Sequence, residues 1–229
     1  MAEDYLTDDE QLEVVKHAIA EYAPWLIGGV LVGAVAFFGI RYFQSYTTDR
    51  AIQAATQFGA MTVAMQANDH AKSRQIADGI IKDYASTPYA DQAQLTLARL
   101  AVDDGQSDKA IPPLTQVMNN SKDTDLRQIA RLRLARILTD QGKSDDAIKT
   151  LPDPIPAAFA APYHEARGDA YLAKKDVPHA VSEYQAALAA TDPSGINSAL
   201  LELKIQDLGP AAAPIAKAVS TESPNKAKP

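Results

Sequence analysis

Residues 22–40 read YAPWLIGGVLVGAVAFFGI, nineteen residues without a charge between Glu21 and Arg41. Wound as a helix, such a run rises about 28 Å, close to the ~30 Å hydrocarbon thickness of a bilayer. The chain therefore holds a segment able to span a membrane. A spanning helix satisfies its own backbone, so Gly and Ala residues that weaken a helix in water are tolerated there. Tyr22 and Trp25 at one end, and Tyr42, Phe43 and Tyr46 at the other, are amphipathic aromatics placed where headgroups meet hydrocarbon. A cleaved secretion signal needs a basic leader, whereas residues 1–21 carry seven acids and one base. A core helix of a soluble domain rarely runs this long without a charged or strongly polar side chain. We place the transmembrane helix at 22–43. Within it Gly29 and Gly33, four residues apart, share one face and permit close approach of another transmembrane helix or of lipid.

Ahead of the span, residues 1–21 form an acidic tail. Thr7 and Glu10 have the spacing of a capping box, and Leu12, Val15, Ile19 and Tyr22 recur at helical spacing. The expectation is a short amphipathic helix, solvated or facing a partner, that breaks at Pro24. The tail accounts for all but one of the seven net negative charges. The rest of the chain is nearly neutral and has no basic footprint for nucleic acid.

With no cysteine, disulfides, thiolate metal sites and thiol catalysis are excluded. His17, His70, His164 and His179 are dispersed, and His164-Glu165 lacks the second histidine of a zinc protease helix. No glycine-rich phosphate loop follows a strand pattern. The sequence points to no cofactor, no metal and no enzyme activity.

From residue 49 onward apolar residues recur at three-and-four spacing. Breaks fall at Asp69-His70, Ser86-Thr87-Pro88, Asp104-Gly105, 119–122, Gln141-Gly142 and Lys175-Asp176. GQSDKAI at 105–111 matches GKSDDAI at 142–148, and KDVPHAV at 175–181 is a weaker third copy. Their alanines Ala110, Ala147 and Ala180 stand 37 and then 33 residues apart. Twelve residues before each is a small residue, Ala98, Ala135 or Gly168; three beyond these are Ala101, Leu138 and Tyr171. Four residues after each alanine come Leu114, Leu151 and Tyr184, and Ala77 marks a degenerate earlier unit. The pattern resembles the tetratricopeptide repeat, a hairpin of about 34 residues that needs small side chains where its two helices touch. Pro112-Pro113 and the prolines between 151 and 156 should shorten the second helices they enter.

The expected fold is all-α: one N-terminal transmembrane helix followed by a divergent tetratricopeptide-like solenoid of helical hairpins at 49–208. A last helix, roughly 194–208, covers its end, and 209–229 is a Pro-, Ala-, Lys- and Ser-rich disordered tail. If the hairpins stack in register, the residues after the small positions, Arg99, Arg136 and Asp169, look into a common groove. Two arginines there offer planar donors to carboxylates or carbonyls of an extended partner chain.

Several stretches, taken in order, carry a family resemblance: Glu10-Gln11 with Val15-Lys16, Gly39-Ile40-Arg41-Tyr42-Phe43-Gln44-Ser45, LRLAR at 132–136, RGDAYL at 167–172 and LKIQDL at 203–208. Over about residues 5–208 the chain resembles the bacterial ancillary SecYEG translocon subunit family. The resemblance implies a single-pass inner-membrane protein with a cytoplasmic N-terminus and a periplasmic repeat domain. It further implies association with the SecYEG translocon and with a membrane-anchored periplasmic isomerase-like chaperone. Emerging exported polypeptides would be passed to periplasmic folding factors, and the cytoplasmic tail would regulate an envelope stress response. The bases beside the span, Lys16 against Arg41 and Arg50, lean by one toward the opposite orientation. A long domain translocates largely regardless of such charges, so orientation is taken from the resemblance. A repeat scaffold for another envelope assembly is the alternative reading.

Overall fold

The computed structural model describes residues 8–151, 153–190 and 195–209, with only part of the side chains before residue 27. Among the described residues every regular element is a helix, as the periodicity predicts. The chain divides into two compact units, Met1–Gln53 and Ala54–Pro229.

The first unit is the greater part of α1 (Asp8–Gln66), whose final turns belong to the second. Ile27–Gln66 is long and apolar enough to cross a membrane, and none of its most apolar window is buried. Trp25 and Phe38 are 82% and 69% exposed. So large an apolar sleeve is stable against hydrocarbon and unfavourable against water. A Cβ built at Gly29 or Gly33 would meet no atom within 4 Å, so this face of the helix is open.

The break expected at Pro24 is absent, and α1 continues from the span into the first repeat helix. Proline in a helix removes one N–H and costs about 3 kcal/mol. Unwinding at the edge of hydrocarbon would expose several unpaired backbone groups at several kcal/mol each, so the continuous helix has the lower free energy. Thr7 of the expected capping box lies outside the described residues, as do residues 1–6 of the tail.

In the second unit four helical hairpins follow one another. The end of α1 pairs with α2 (His70–Asp83), and α3 (Pro88–Asp103) pairs with α4 (Ile111–Asn120), which a short 3-10 turn at Ser107–Ala110 precedes. Then α5 (Thr124–Asp140) pairs with α6 (Ser144–Thr150), and α7 (Ala160–Ala173) with α8 (Val177–Leu188). Pro112-Pro113 sits in the first turn of a ten-residue α4, and the seven-residue α6 stops before residue 152, so the prolines shorten both helices as expected. The last helix is α9 (Ser198–Asp207), whose Leu201 is fully buried with Ala180, Tyr184 and Ala187. Ser194 and residues 210–229 lie outside the described residues.

Each hairpin turns the same way. At the four hairpin turns the residues in left-handed conformation are Asn68, Gly105, Gly142 and Lys175, with φ of 55°, 72°, 74° and 63°. Each donates its N–H three residues back, and the next residue donates five residues back, at 2.8–3.0 Å in all four turns. This double bond pattern closes the open carbonyls of a helix end. Glycine takes that conformation without strain, whereas Asn68 and Lys175 carry a Cβ that crowds the backbone. At those two turns alone the next residue is an aspartate that caps the following helix. Asp69 accepts from the Lys72 amide at 3.0 Å and Asp176 from the His179 amide at 3.4 Å. A cap of this kind contributes about 1 kcal/mol and offsets the strain. Lys175→Gly should therefore raise the stability of the last hairpin by about 1 kcal/mol. The urea midpoint of the full chain in detergent reads this, and a lowered midpoint would contradict the strain argument.

These turns correct the repeat register. Counting from the left-handed residue, Ala110, Ala147 and Ala180 have Ser73 as their counterpart, not Ala77. Ser73 is fully buried, and its hydroxyl donates to the Met61 carbonyl at 3.5 Å. Ala77 stands instead with Leu114, Leu151 and Tyr184. Facing residues then trade size: Met61 with Ala77, Ala98 with Leu114, Ala135 with Leu151, Gly168 with Tyr184. All eight are buried, and each of the first three pairs shares a core cluster. The ring of Tyr184 lies 2.4 Å from where a Cβ on Gly168 would stand, so only glycine fits there. The volume between paired helices is thus filled from one side or the other.

Candidate binding groove

α3 and α5 are the first helices of successive hairpins, so their outward faces adjoin. Arg99 stands on α3 and Arg133 and Arg136 on α5, the latter pair three residues apart and hence on one face. All three line a groove of about 420 Å³ together with Asp103 and Asp140. Its floor is apolar: Ala98, Leu114 and Ile137 are buried there, beside the exposed Val102.

The cations differ in what they hold. Arg99 Nε lies 3.5 Å from Asp103 one helical turn on, both side chains well exposed, a pair of small energetic weight. Arg136 reaches Glu165 of α7 at 3.4 Å. Arg133 has no ion pair among the described residues. Partial desolvation, and then the charges of Arg99 and Arg136, lower its pKa. Three guanidinium groups thus share an apolar-floored hollow, and Arg133 makes no ion pair there among the described residues.

Asp169, the third position expected in the groove, is engaged elsewhere. It accepts the Tyr184 hydroxyl at 2.7 Å and Lys204 Nζ at 2.6 Å, joining α7 to α8 and α9. A larger hollow of about 630 Å³ lies by α2, α3 and α4, where Arg74 is paired with Asp104 and the other charged side chains among the described residues are Asp78 and Lys109. There His70 and then Arg74 bond Asp104 and hold its carboxyl below the usual range, and Arg74 also donates to the Leu100 carbonyl at 3.2 Å. The described histidines each face a carboxylate: His70 with Asp104, His164 with Glu183 at 2.7 Å, and His179 with Asp176 at 2.8 Å.

A family model described as a tetratricopeptide repeat-like domain matches residues 16–210. A relative from Escherichia coli (strain K12), named ancillary SecYEG translocon subunit, is 31% identical over 205 residues, 89% of this chain and 98% of the relative. The chain belongs to the ancillary SecYEG translocon subunit family. Relatives of the same name from Neisseria gonorrhoeae (strain ATCC 700825 / FA 1090) and Haemophilus influenzae (strain ATCC 51907 / DSM 11121 / KW20 / Rd) are 27% and 25% identical. Each match again covers 89% of this chain and 98% of the relative. No solved structure matches the chain.

In this chain, repeat spacing points to Arg99 and Arg136 and passes over Arg133. A signal for it exists in the LRLAR stretch, where residues 133 and 136 stand one helical turn apart. That Arg133 is unpaired depends on where the carboxylates of neighbouring helices fall, which spacing alone does not show.

Proposed function

We propose that this chain is a non-enzymatic adaptor of the SecYEG translocon, held in the bacterial inner membrane by the 22–43 segment of α1, with its repeats in the periplasm. The observation that carries this reading is the near full-length likeness to relatives named for that association, joined to an uncovered apolar helix ahead of the repeats. The anchor keeps the repeats within nanometres of the channel exit. Weak contacts then suffice, because tethering raises the local concentration of emerging polypeptide. Arg99 and Arg136 offer planar donors to the passing chain. Gly29 and Gly33 offer a close-packing face for a helix of the channel, of a membrane-anchored isomerase-like chaperone that receives the polypeptide, or of a second copy of the chain. The acidic residues of 1–21, on the cytoplasmic side, are the surface through which an envelope stress response is regulated.

Co-purification after extraction in mild detergent tests this reading. The full chain should bring down SecYEG, and replacing residues 22–43 with an unrelated span should reduce recovery several-fold while the repeats stay folded. Recovery of another envelope assembly in place of SecYEG would favour the scaffold alternative.

A further inference from the structure

The groove between α3 and α5 gathers three guanidinium groups over an apolar floor. In the larger hollow, by contrast, the Arg74 guanidinium is paired with Asp104. In the α3 and α5 groove Arg99 and Arg136 are paired with Asp103 and Glu165, while Arg133 feels the like charges of both and has no ion pair among the described residues, although Asp140 lines the same groove. An arriving carboxylate would relieve that repulsion and gain a forked pair of hydrogen bonds from the guanidinium. Directly below lie the apolar side chains of Leu114 and Ile137, able to accept an aliphatic or aromatic group.

We propose that this groove selects extended polypeptide segments in which an acidic side chain adjoins an apolar one, with Arg133 as the cation that holds the carboxylate. The inference rests on the reading that the repeats receive unfolded polypeptide, and it names the class of segment they prefer. A neutral segment gains only the apolar floor. A basic one meets three guanidinium groups and is disfavoured. Because the site is open to solvent, the preference weakens as salt rises.

The test uses the full chain in lipid nanodiscs and fluorescein-labelled peptides carrying Leu-Asp-Leu, Leu-Asn-Leu or Leu-Lys-Leu between identical Gly-Ser flanks. Anisotropy titrations at low salt should show the Asp peptide binding about 10-fold more tightly than the Asn peptide, as expected for a charge-assisted hydrogen bond, and the Lys peptide most weakly. Arg133→Gln should erase the difference between Asp and Asn, Arg133→Lys should keep part of it, and neither should lower the unfolding midpoint, since the side chain makes no hydrogen bond or ion pair among the described residues. Equal affinity for the Asp and Asn peptides, no binding of any peptide, or a preference that survives Arg133→Gln overturns the inference. Self-association that Arg133→Gln abolishes would also overturn it, by assigning the groove to a second copy of the chain. SecYEG recovery is measured in parallel on the unaltered chain. If that chain recovers SecYEG but binds the Asp and Asn peptides equally, this inference alone falls; if it recovers no SecYEG, the adaptor reading falls whatever the peptides show.

Discussion

Gly168→Ala is expected to destabilise the last hairpin by about 2–3 kcal/mol, a large effect for one added methyl group. The added carbon would lie 2.4 Å and 2.5 Å from Cε1 and Cδ1 of Tyr184, well inside contact distance. The ring cannot easily withdraw. It is fully buried, its hydroxyl is held by Asp169 at 2.7 Å, and Lys204 sits 5.3 Å from the ring centre. Relief requires α7 and α8 to part, which loosens Ala180 and the Leu201 cap as well. The size trade between facing positions supplies an internal control. Adding Tyr184→Leu to Gly168→Ala turns this pair into the Ala with Leu combination of the two middle hairpins. At least half of the lost stability should return, a coupling that urea midpoints of the single and double variants measure directly. A wild-type midpoint for Gly168→Ala, or no recovery in the double variant, would show that the close approach is not what holds the hairpin.

Tyr163→Ala should cost about 3–5 kcal/mol, the range for removing a large aromatic ring from a packed core. Tyr163 is fully buried among Ala135, Ala147 and Leu151, where it joins α5, α6 and α7. Its hydroxyl donates to Gln128 Oε1 at 2.6 Å and lies 3.2 Å from the Gln128 carbonyl. Tyr163→Phe keeps the ring and should cost about 1–2 kcal/mol, because Gln128 is buried and loses its partner. The same side chain carries a pH dependence. Burial pushes its pKa up to about 12, against the smaller opposing attraction of the Arg131 cation for the phenolate. The folded value is raised above the unfolded one, so this contribution is complete below pH ~10 and is lost as pH climbs from there toward 12. Between pH 9 and 12, Tyr163→Phe should therefore lose less stability than the unaltered chain. Parallel losses would remove Tyr163 from the account.

What the sequence shows and what it hides follow a physical line. Ala110, Ala147 and Ala180 are legible because a small side chain at fixed spacing marks where two backbones approach, whatever the rest of the repeat does. The first hairpin is read one turn out of register because Met61 fills the space that Leu114, Leu151 and Tyr184 fill in the others. A volume shared between two helices cannot be assigned from either residue alone. Pro24 reads as a break by local geometry, and the demand that backbone near hydrocarbon stay bonded outweighs it. Arg99 and Arg136 share a groove as the 37-residue spacing implies. Asp169 follows the same spacing, yet Tyr184 and Lys204, 15 and 35 residues onward, claim its carboxylate. Arg133 goes unnoticed for the complementary reason: an unpaired charge is defined by partners that are absent in space, and sequence spacing records no such absence.

The central claim is that the anchor stands beside the channel and the groove meets chains emerging from it. Photo-crosslinking in living cells, from probes replacing the exposed Leu31 of the span and the exposed Val102 of the groove, tests both halves at once. The account predicts adducts with channel subunits from position 31 and with exported polypeptides from position 102. Adducts from position 102 confined to cytoplasmic proteins, with no channel subunit captured from position 31, would contradict it.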